Sequence, residues 1–529
     1  MTDASVSGGG RLIVYVGGLI EKRHDADELF EKLQAEPGHA DDEVWVYPDW
    51  IRPLTRGSLA VLADTLNQRI GALWAEGGRA REIVLVGHSA GGVLLRYAYL
   101  CGRGRLDGHR SAWVHQVTRI VLLAAPNRGV PPSRLNGPTR VAAIMAAGTF
   151  RRFAALELLA GAAFMTDLRL EWIRLFNELG AEAPLVVQVR GAADPLVRPE
   201  DSRDVEGRAT GADLYIPQAD HRDIMKVSKV PQDREGQRYD ILRRAVLGTV
   251  EITEPAALPE QEAEVTDIVF LLHGIRAGIN SWVTDLERAL QNGTTSRTLV
   301  VTASYGWLSA FNFAFPVSRR RTLRWFQDQY SYQFARHPDA RIHFVGHSNG
   351  TYMFGQSLRQ VRTLRFDRVY LAGSVLPREF GWRDFADRLQ IATLVNACGS
   401  RDKPVGWLCS GLRGLGMRDI GLGGFAGFDV TPSGTVQFLH LDGGHGAGLT
   451  AQHLPAVAEY IRDGKQPNPS VTEPSQLFSQ VSRLAPLLAV LLVLGLLGMV
   501  AWTVVAFSLV KLVAVLGGAA AACLILKAV

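Results

Sequence analysis

The chain has 529 residues, carrying 57 basic and 52 acidic side chains for a formal net charge of +5 and a pI near 9.0. That length holds two or three domains rather than one, and its mixed charge, without a long basic stripe, argues against nucleic acid as a partner. The four cysteines, Cys101, Cys398, Cys409 and Cys523, show neither metal-ligand spacing nor disulfide-framework density, so they read as reduced thiols and neither zinc nor haem is expected.

In chain order, residues 1–10 are polar, and the apolar run at 12–20 lacks the basic flank and cleavage site of a secretory signal. An uncleaved cytoplasmic N-terminus is expected. Strand candidates recur at 12–16, 43–47, 83–86, 119–124, 185–189 and 213–216, with helical patterns between them. A charged stretch at 253–264, rich in Glu and Pro, places a linker near 250–265. The same rhythm then restarts at 268–272, 298–303, 342–345, 368–371, 391–396 and 436–441. Alternating strands and helices imply a mostly parallel sheet covered on both faces in each half. The expected domains are therefore 11–248 and 265–463.

The halves differ in decoration. The first inserts residues 140–179, read as a helical cap over a site, although apolar periodicity equally fits ordinary packing helices. The second carries an aromatic-basic stretch, Trp307 through Phe315 and then Arg319-Arg320-Arg321-Thr322-Leu323-Arg324-Trp325-Phe326. That composition suits a membrane headgroup zone, an interdomain contact or a solvated amphipathic helix.

From 484 to 529 almost every residue is apolar, interrupted mainly by Pro486, Lys511 and Lys527. At about 1.5 Å per residue this run makes roughly 69 Å of helix, about twice a ~30 Å hydrocarbon core. A transmembrane hairpin turning near 508–511 is expected, with one span plus an interfacial helix as the alternative.

Two pentapeptides carry the chemistry. Gly87-His88-Ser89-Ala90-Gly91 follows the apolar run Ile83-Val84-Leu85-Val86, and Gly346-His347-Ser348-Asn349-Gly350 follows Ile342-His343-Phe344-Val345. Each is succeeded by a helix-like stretch, the context a nucleophile elbow requires, in which a sharp strand-to-helix turn lifts a serine hydroxyl clear of the sheet. A serine needs a histidine base held by a carboxylate, in the order serine, acid, histidine. In the first half the strand at 185–189 leads to Asp194 and the next to His221. In the second the strand at 391–396 leads to Asp402 and the next to His445. All lie just beyond the C-terminal ends of strands, on the edge where the serines emerge. Asp201, Asp204, Asp220 and Asp442 are weaker acids by position, and His88 and His347 are read as packing beneath the turn. Oxyanion donors are expected from Ala90 and Asn349 after each serine, and from Leu19 and Ile275 in the Gly-containing loops after the first strand of each half.

Together these motifs resemble the α/β-hydrolase superfamily, over nearly all of 11–248 and, separately, 265–463. The first half is most similar to its lipase and esterase branch: Leu122-Leu123-Ala124-Ala125-Pro126-Asn127-Arg128-Gly129 is similar to the Thr-Pro-His-Arg-Gly loop of many lipases, with Asn127 in place of the histidine and Ala125 in place of the threonine. The resemblance implies two tandem hydrolase domains acting through an acyl-serine intermediate with no metal or organic cofactor, on a lipid or other acyl-ester substrate. With the apolar tail it implies a bacterial inner-membrane protein whose hydrolase domains lie on the cytoplasmic side. An anchored scaffold or sensor without turnover, or a hydrolase of soluble esters or amides, is the competing expectation.

Overall fold

The computed structural model describes residues 10–18, 23–48, 58–76, 81–131, 154–194, 197, 211–228, 236–250, 265–274, 282–291, 298–302, 316–468, 470, 472–473, 476–505 and 509–528. Packing divides the chain into two compact units, Met1–Glu262 with Gln327–Pro338, and Ala263–Phe326 with Asp339–Val529.

The first unit runs β1 (Leu12–Val16), α1 (Arg23–Gln34), β2 (Glu43–Val46), α2 (Leu59–Glu76), β3 (Ile83–His88), α3 (Ala90–Gly102), β4 (Val117–Leu123), α4 (Ala163–Leu179), β5 (Leu185–Gly191), β6 (Gly211–Ile216) and α5 (Gln237–Val246). Its six strands pair in parallel in the order β2-β1-β3-β4-β5-β6. Strand residues alternate between two cores: Leu12, Val14 and Leu85 face the layer holding α2, α3 and α4, while Ile13, Tyr15, Val84 and Val86 face α1 and α5. Burial on both faces explains why these strands are continuous apolar runs instead of alternating ones.

The second unit repeats the pattern with β7 (Asp267–Leu272), α6 (Trp282–Gln291), β8 (Thr298–Thr302), α7 (Pro316–Arg336), β9 (Arg341–His347), α8 (Asn349–Gln360), β10 (Phe366–Ala372), β11 (Ile391–Gly399), β12 (Val436–Leu441) and α9 (Leu454–Asp463). Strand order is β8-β7-β9-β10-β11-β12, again all parallel. One face of this sheet packs on aliphatic residues of α6 and α9. The other stacks aromatic rings, with Phe344 against Phe354 at 4.1 Å between centroids. In both sheets the chain reverses direction between the first and third strands in sequence, the position at which an open parallel sheet leaves a crevice at its C-terminal edge.

All twelve expected strands are present at their expected places, with ends shifted by a few residues. The expected linker at 253–264 lies outside the described residues. Within the insertion of the first half, α4 is a core helix: Phe164, Met165, Leu168, Trp172 and Phe176 are buried in the same cluster as Tyr99 and Trp113. Glu157, just before it, accepts the backbone N–H of Leu59 at 2.6 Å and so caps α2. Residues 140–153 of the insertion lie outside the described residues. The stretch 307–315 is likewise outside them. Downstream of it Leu323 and Phe326 are buried, with Phe326 edge-on to Phe270, so this part of α7 is a packing helix of the second sheet.

The C-terminal region folds as α10 (Gln476–Val505) and α11 (Leu509–Ala528). Among the described residues one helix, Gln476–Trp502, is long and apolar enough to cross a membrane; the apolar stretch Val513–Ile525 of α11 is shorter. The expected turn at 508–511 is displaced: residues 509–511 are already helical, forming the start of α11, and residue 508 lies outside the described residues.

Candidate active sites

Each serine sits at the junction of strand and helix in a backbone conformation that L-residues avoid: φ 52° and ψ −124° for Ser89, φ 54° and ψ −119° for Ser348. The amide of Ser89 donates to Leu123 O and that of Ser348 to Ala372 O, so the neighbouring strand fixes the strained turn. The second glycine of each pentapeptide is required by close approach. A Cβ on Gly91 would lie 2.1 Å from Val16 O, and one on Gly350 would lie 2.4 Å from Leu272 O. Only glycine lets the helix pass this near the first strand of its sheet.

In the first unit the three expected residues meet. His221 Nδ1–H donates to Asp194 Oδ2 at 2.9 Å, and Ser89 Oγ–H donates to His221 Nε2 at 2.8 Å. Asp194 is buried, and its other oxygen accepts the Val197 N–H at 2.9 Å. The acid is therefore locked by a backbone donor on one side and the imidazole on the other. Backbone bonds from Ala192 to Ile216 and from Ala193 to Ala219 lace the acid loop to the histidine loop.

The second unit repeats this lattice. His445 Nδ1 lies 2.9 Å from both oxygens of Asp402, and Asp402 Oδ1 accepts the Val405 N–H at 2.9 Å. Ser400 and Arg401 bond to Leu441 and Gly443, joining the two loops. One link differs: among the described residues no hydrogen bond joins Ser348 Oγ to His445 Nε2.

The competing acids are otherwise engaged. Asp220 accepts the N–H groups of Arg222 and Asp223, and Asp442 pairs with Arg401 at the surface. Asp201 and Asp204 lie outside the described residues. Ala90 and Asn349 are the first residues of α3 and α8, where an amide N–H has no acceptor within its own helix. Leu19 and Ile275 lie outside the described residues, but the glycines before them, Gly18 and Gly274, are against Ser89 and Ser348.

The elbow histidines do more than fill space. His88 Nε2–H donates to the backbone carbonyl of His221 at 2.9 Å, and His347 Nε2–H to that of His445 at 3.1 Å. These bonds tie each elbow to the main chain of the histidine after the last strand, a contact that sequence reasoning missed. The signal was present in the repetition of histidine at one elbow position in both halves. Burial, aided by the neighbouring His445, pushes the His347 imidazole down to about 3, so it is neutral. Burial likewise pushes the Cys398 thiol up to about 12, which makes it an inert core residue beside the acid loop. All four cysteines are free thiols.

No protein-family model matches the chain, and no curated protein matches it in sequence. Solved structures do. A monoacylglycerol lipase from Paleococcus ferrophilus aligns at 16% identity over 46% of this chain and 97% of its own, with a TM-score of 0.30. The thioesterase RedJ from Streptomyces coelicolor aligns at 16% identity over 46% and 97%, TM-score 0.27. Phospholipase PlaB from Legionella pneumophila aligns at 16% identity over 35% of this chain and 39% of its own, TM-score 0.27. Independently of those likenesses, six parallel strands in one order, a strained serine after the third strand and acid and histidine loops after the last two occur in both units. The chain is a tandem of two α/β-hydrolase folds followed by an apolar C-terminal helix.

Proposed function

We propose that the protein is a membrane-anchored serine hydrolase that cleaves carboxylic esters, of lipid type, through an acyl-serine intermediate. The observation that carries this reading is the continuous hydrogen-bond chain Ser89–His221–Asp194 at a strained elbow. His221 takes the hydroxyl proton as Ser89 Oγ attacks the ester carbonyl. Asp194 holds the ring in the tautomer with Nε2 free and stabilises the imidazolium that forms. The developing oxyanion is met by the Ala90 N–H, with Leu19 as the proposed second donor. His221 then returns the proton to the departing alcohol. A water molecule, activated by the same imidazole, attacks the acyl-serine carbonyl and releases the acid. Ser348, His445 and Asp402 form the corresponding set in the second unit, with Asn349 and Ile275 as the donors. None of these steps calls for a metal or an organic cofactor.

The lipid assignment rests on the apolar helix Gln476–Trp502, which in a membrane would hold both units beside ester-bearing amphiphiles. Arg483, the one basic residue of that helix, is on the side of the hydrolase units, which by the positive-inside rule favours the cytoplasmic face of a bacterial inner membrane. The missing Ser348–His445 bond favours Ser89 as the more reactive serine, and a binding role without turnover for the second unit is the alternative it supports.

A fluorophosphonate probe tests the reading on purified full-length protein, alongside Ser89→Ala, Ser348→Ala and the double variant. Labelling is expected in the parent, at Ser89 faster than at Ser348, and none in the double variant. A folded parent that takes no label would overturn serine catalysis in both units.

A further inference from the structure

The first turns of α10 do not stand free of the second hydrolase unit. Phe478, Ser482, Ala485 and Ala489 recur at helical spacing on one face of α10. The first three of them are buried against a short helical pair, Pro404–Cys409 and Ser410–Gly414. Phe478 is wedged between Trp407 and Phe425, with ring centroids 5.1 Å away in each case. Two polar bonds fix the register: Ser482 Oγ–H donates to Gly406 O at 2.7 Å, and Ser410 Oγ–H donates to Ser482 O at 3.0 Å. Further along, Gly414 lies so close to Pro486 that a Cβ there would be 2.6 Å from Pro486 Cα. A Cβ on Gly411 would meet that of Ala489 at 3.3 Å.

These contacts set a height along α10. Pro486 and Ala489 belong to the apolar run, and the residues of α10 around them that face away from the unit, Leu484, Leu487, Leu488 and Leu491, are all more than half exposed. The end of the helical pair is therefore level with the first turns of the apolar helix, not with its polar approach. At that end Leu415 is 43% exposed, with Leu412 and Met417 partly exposed beside it. Arg418, next to Met417, and Arg483, next to Ser482, are exposed, while the Arg413 guanidinium is taken up by Glu379 and by the carbonyls of Arg418 and Ile420. Apolar side chains beside exposed arginines match the boundary between acyl chains and phosphates, where the aliphatic parts sink and the guanidinium groups reach the headgroups.

Resting on the membrane reading above, we infer that the edge formed by Leu412, Leu415 and Met417 dips into the headgroup layer of the leaflet that α10 enters, with Arg418 and Arg483 facing lipid phosphates. The pair begins two residues after Asp402, and the Asp402 carbonyl accepts the Gly406 N–H at 2.8 Å. The catalytic edge of the second sheet and the lipid surface are thus joined through one rigid segment. The substrate class that follows for Ser348 is an ester of a bilayer-resident amphiphile that reaches the serine from the leaflet, not a freely soluble ester.

The test uses the full chain with Cys523→Ser; Cys101, Cys398 and Cys409 are buried and escape labelling. Single variants Leu415→Cys, Leu491→Cys and Ser433→Cys carry an environment-sensitive NBD fluorophore. Each is reconstituted into phosphatidylcholine–phosphatidylglycerol vesicles with or without a lipid bearing a nitroxide near its headgroup. Retained fluorophosphonate labelling certifies the fold. Quenching at Leu415→Cys comparable to that at Leu491→Cys, with Ser433→Cys unquenched, is the expected result. Quenching at Leu491→Cys alone overturns the inference and leaves the anchor in place. No quenching at any position overturns the membrane reading and the inference with it. Equal quenching at all three sites overturns the claim that this edge in particular meets lipid.

Discussion

The imidazole of His88, inside the elbow, donates from Nε2 to the backbone carbonyl of His221 at 2.9 Å, and the pair His347 and His445 repeats the bond at 3.1 Å. The serine's own neighbour thereby holds the main chain that presents the base. Removing the donor frees the histidine loop without touching substrate. Loss of one such bond is worth about 1 kcal/mol, or about fivefold in rate. His88→Ala is expected to lower kcat by about that factor with KM for a short ester unchanged. His88→Gln, which restores an N–H donor, should recover most of it. Steady-state kinetics on the Ser348→Ala background checks this, and a change confined to KM would remove the positioning role.

The buried acids should separate cleanly from their neighbours. Asp194 and Asp402 each hold an imidazole Nδ1 at 2.9 Å, and Asp402 is fully buried. Conversion to Asn removes the charge that favours the working tautomer. Asp194→Asn is expected to reduce ester turnover by about three to four orders of magnitude. Asp442, exposed and paired only with Arg401, should tolerate the same change with turnover and stability close to the parent. Equal losses in Asp402→Asn and Asp442→Asn would reassign the acid of the second site.

The glycines after the first strand of each sheet face the elbow serines directly. A Cβ on Gly18 would lie 2.9 Å from Ser89 Cβ, and one on Gly274 would lie 2.7 Å from Ser348 Cβ. Either methyl group must push the serine or the oxyanion loop aside, and displacement of about 1 Å in such a site costs on the order of a hundredfold in rate. Gly18→Ala should therefore abolish most fluorophosphonate labelling at Ser89 while leaving Ser348 labelled. Measuring both serines in one chain by peptide mapping supplies the internal control.

Much of this was legible in the sequence because the physics is local. A buried parallel strand must be a short apolar run, and Ile83 to Val86 before Gly87 or Ile268 to Leu272 before His273-Gly274 can be little else. Asp194, His221, Asp402 and His445 were legible as candidates because they follow such strands by a few residues. What was not legible depends on which surface a side chain meets. The apolar face of α4 reads equally as lid or core until Trp172 is seen buried near Tyr99, 6.2 Å between ring centroids. The elbow histidines bond to the main chain of a residue some hundred positions away, and their repetition at one elbow position marked them without naming that backbone acceptor. Ser482 and Ser410 belong to no sequence motif, yet their hydrogen bonds join the start of the apolar helix to the segment after Asp402.

Acid should unfold the second unit partly through His347. Burial holds its imidazole at about 3, against an ordinary 6.5, with the neighbouring His445 lowering it further. Its Nε2 is committed to the His445 carbonyl, and its Nδ1 is buried without a hydrogen-bond acceptor, so the folded protein has no place for a second ring proton. The unfolded chain takes up that proton as pH falls through 6.5. Between pH 6.5 and about 3 the unfolded state therefore binds more protons at this position than the folded state, and stability must fall as pH falls. Above that window the contribution is complete and flat. Thermal unfolding of the parent and of His347→Gln, which keeps an N–H donor but cannot titrate, isolates the contribution from the other carboxylates and histidines. The gap in Tm between the two should shift in favour of the variant as pH is lowered from 7 to 4. A gap that is independent of pH would mean that His347 titrates in the folded protein as it does in the unfolded chain, and would remove the claim that burial holds it neutral.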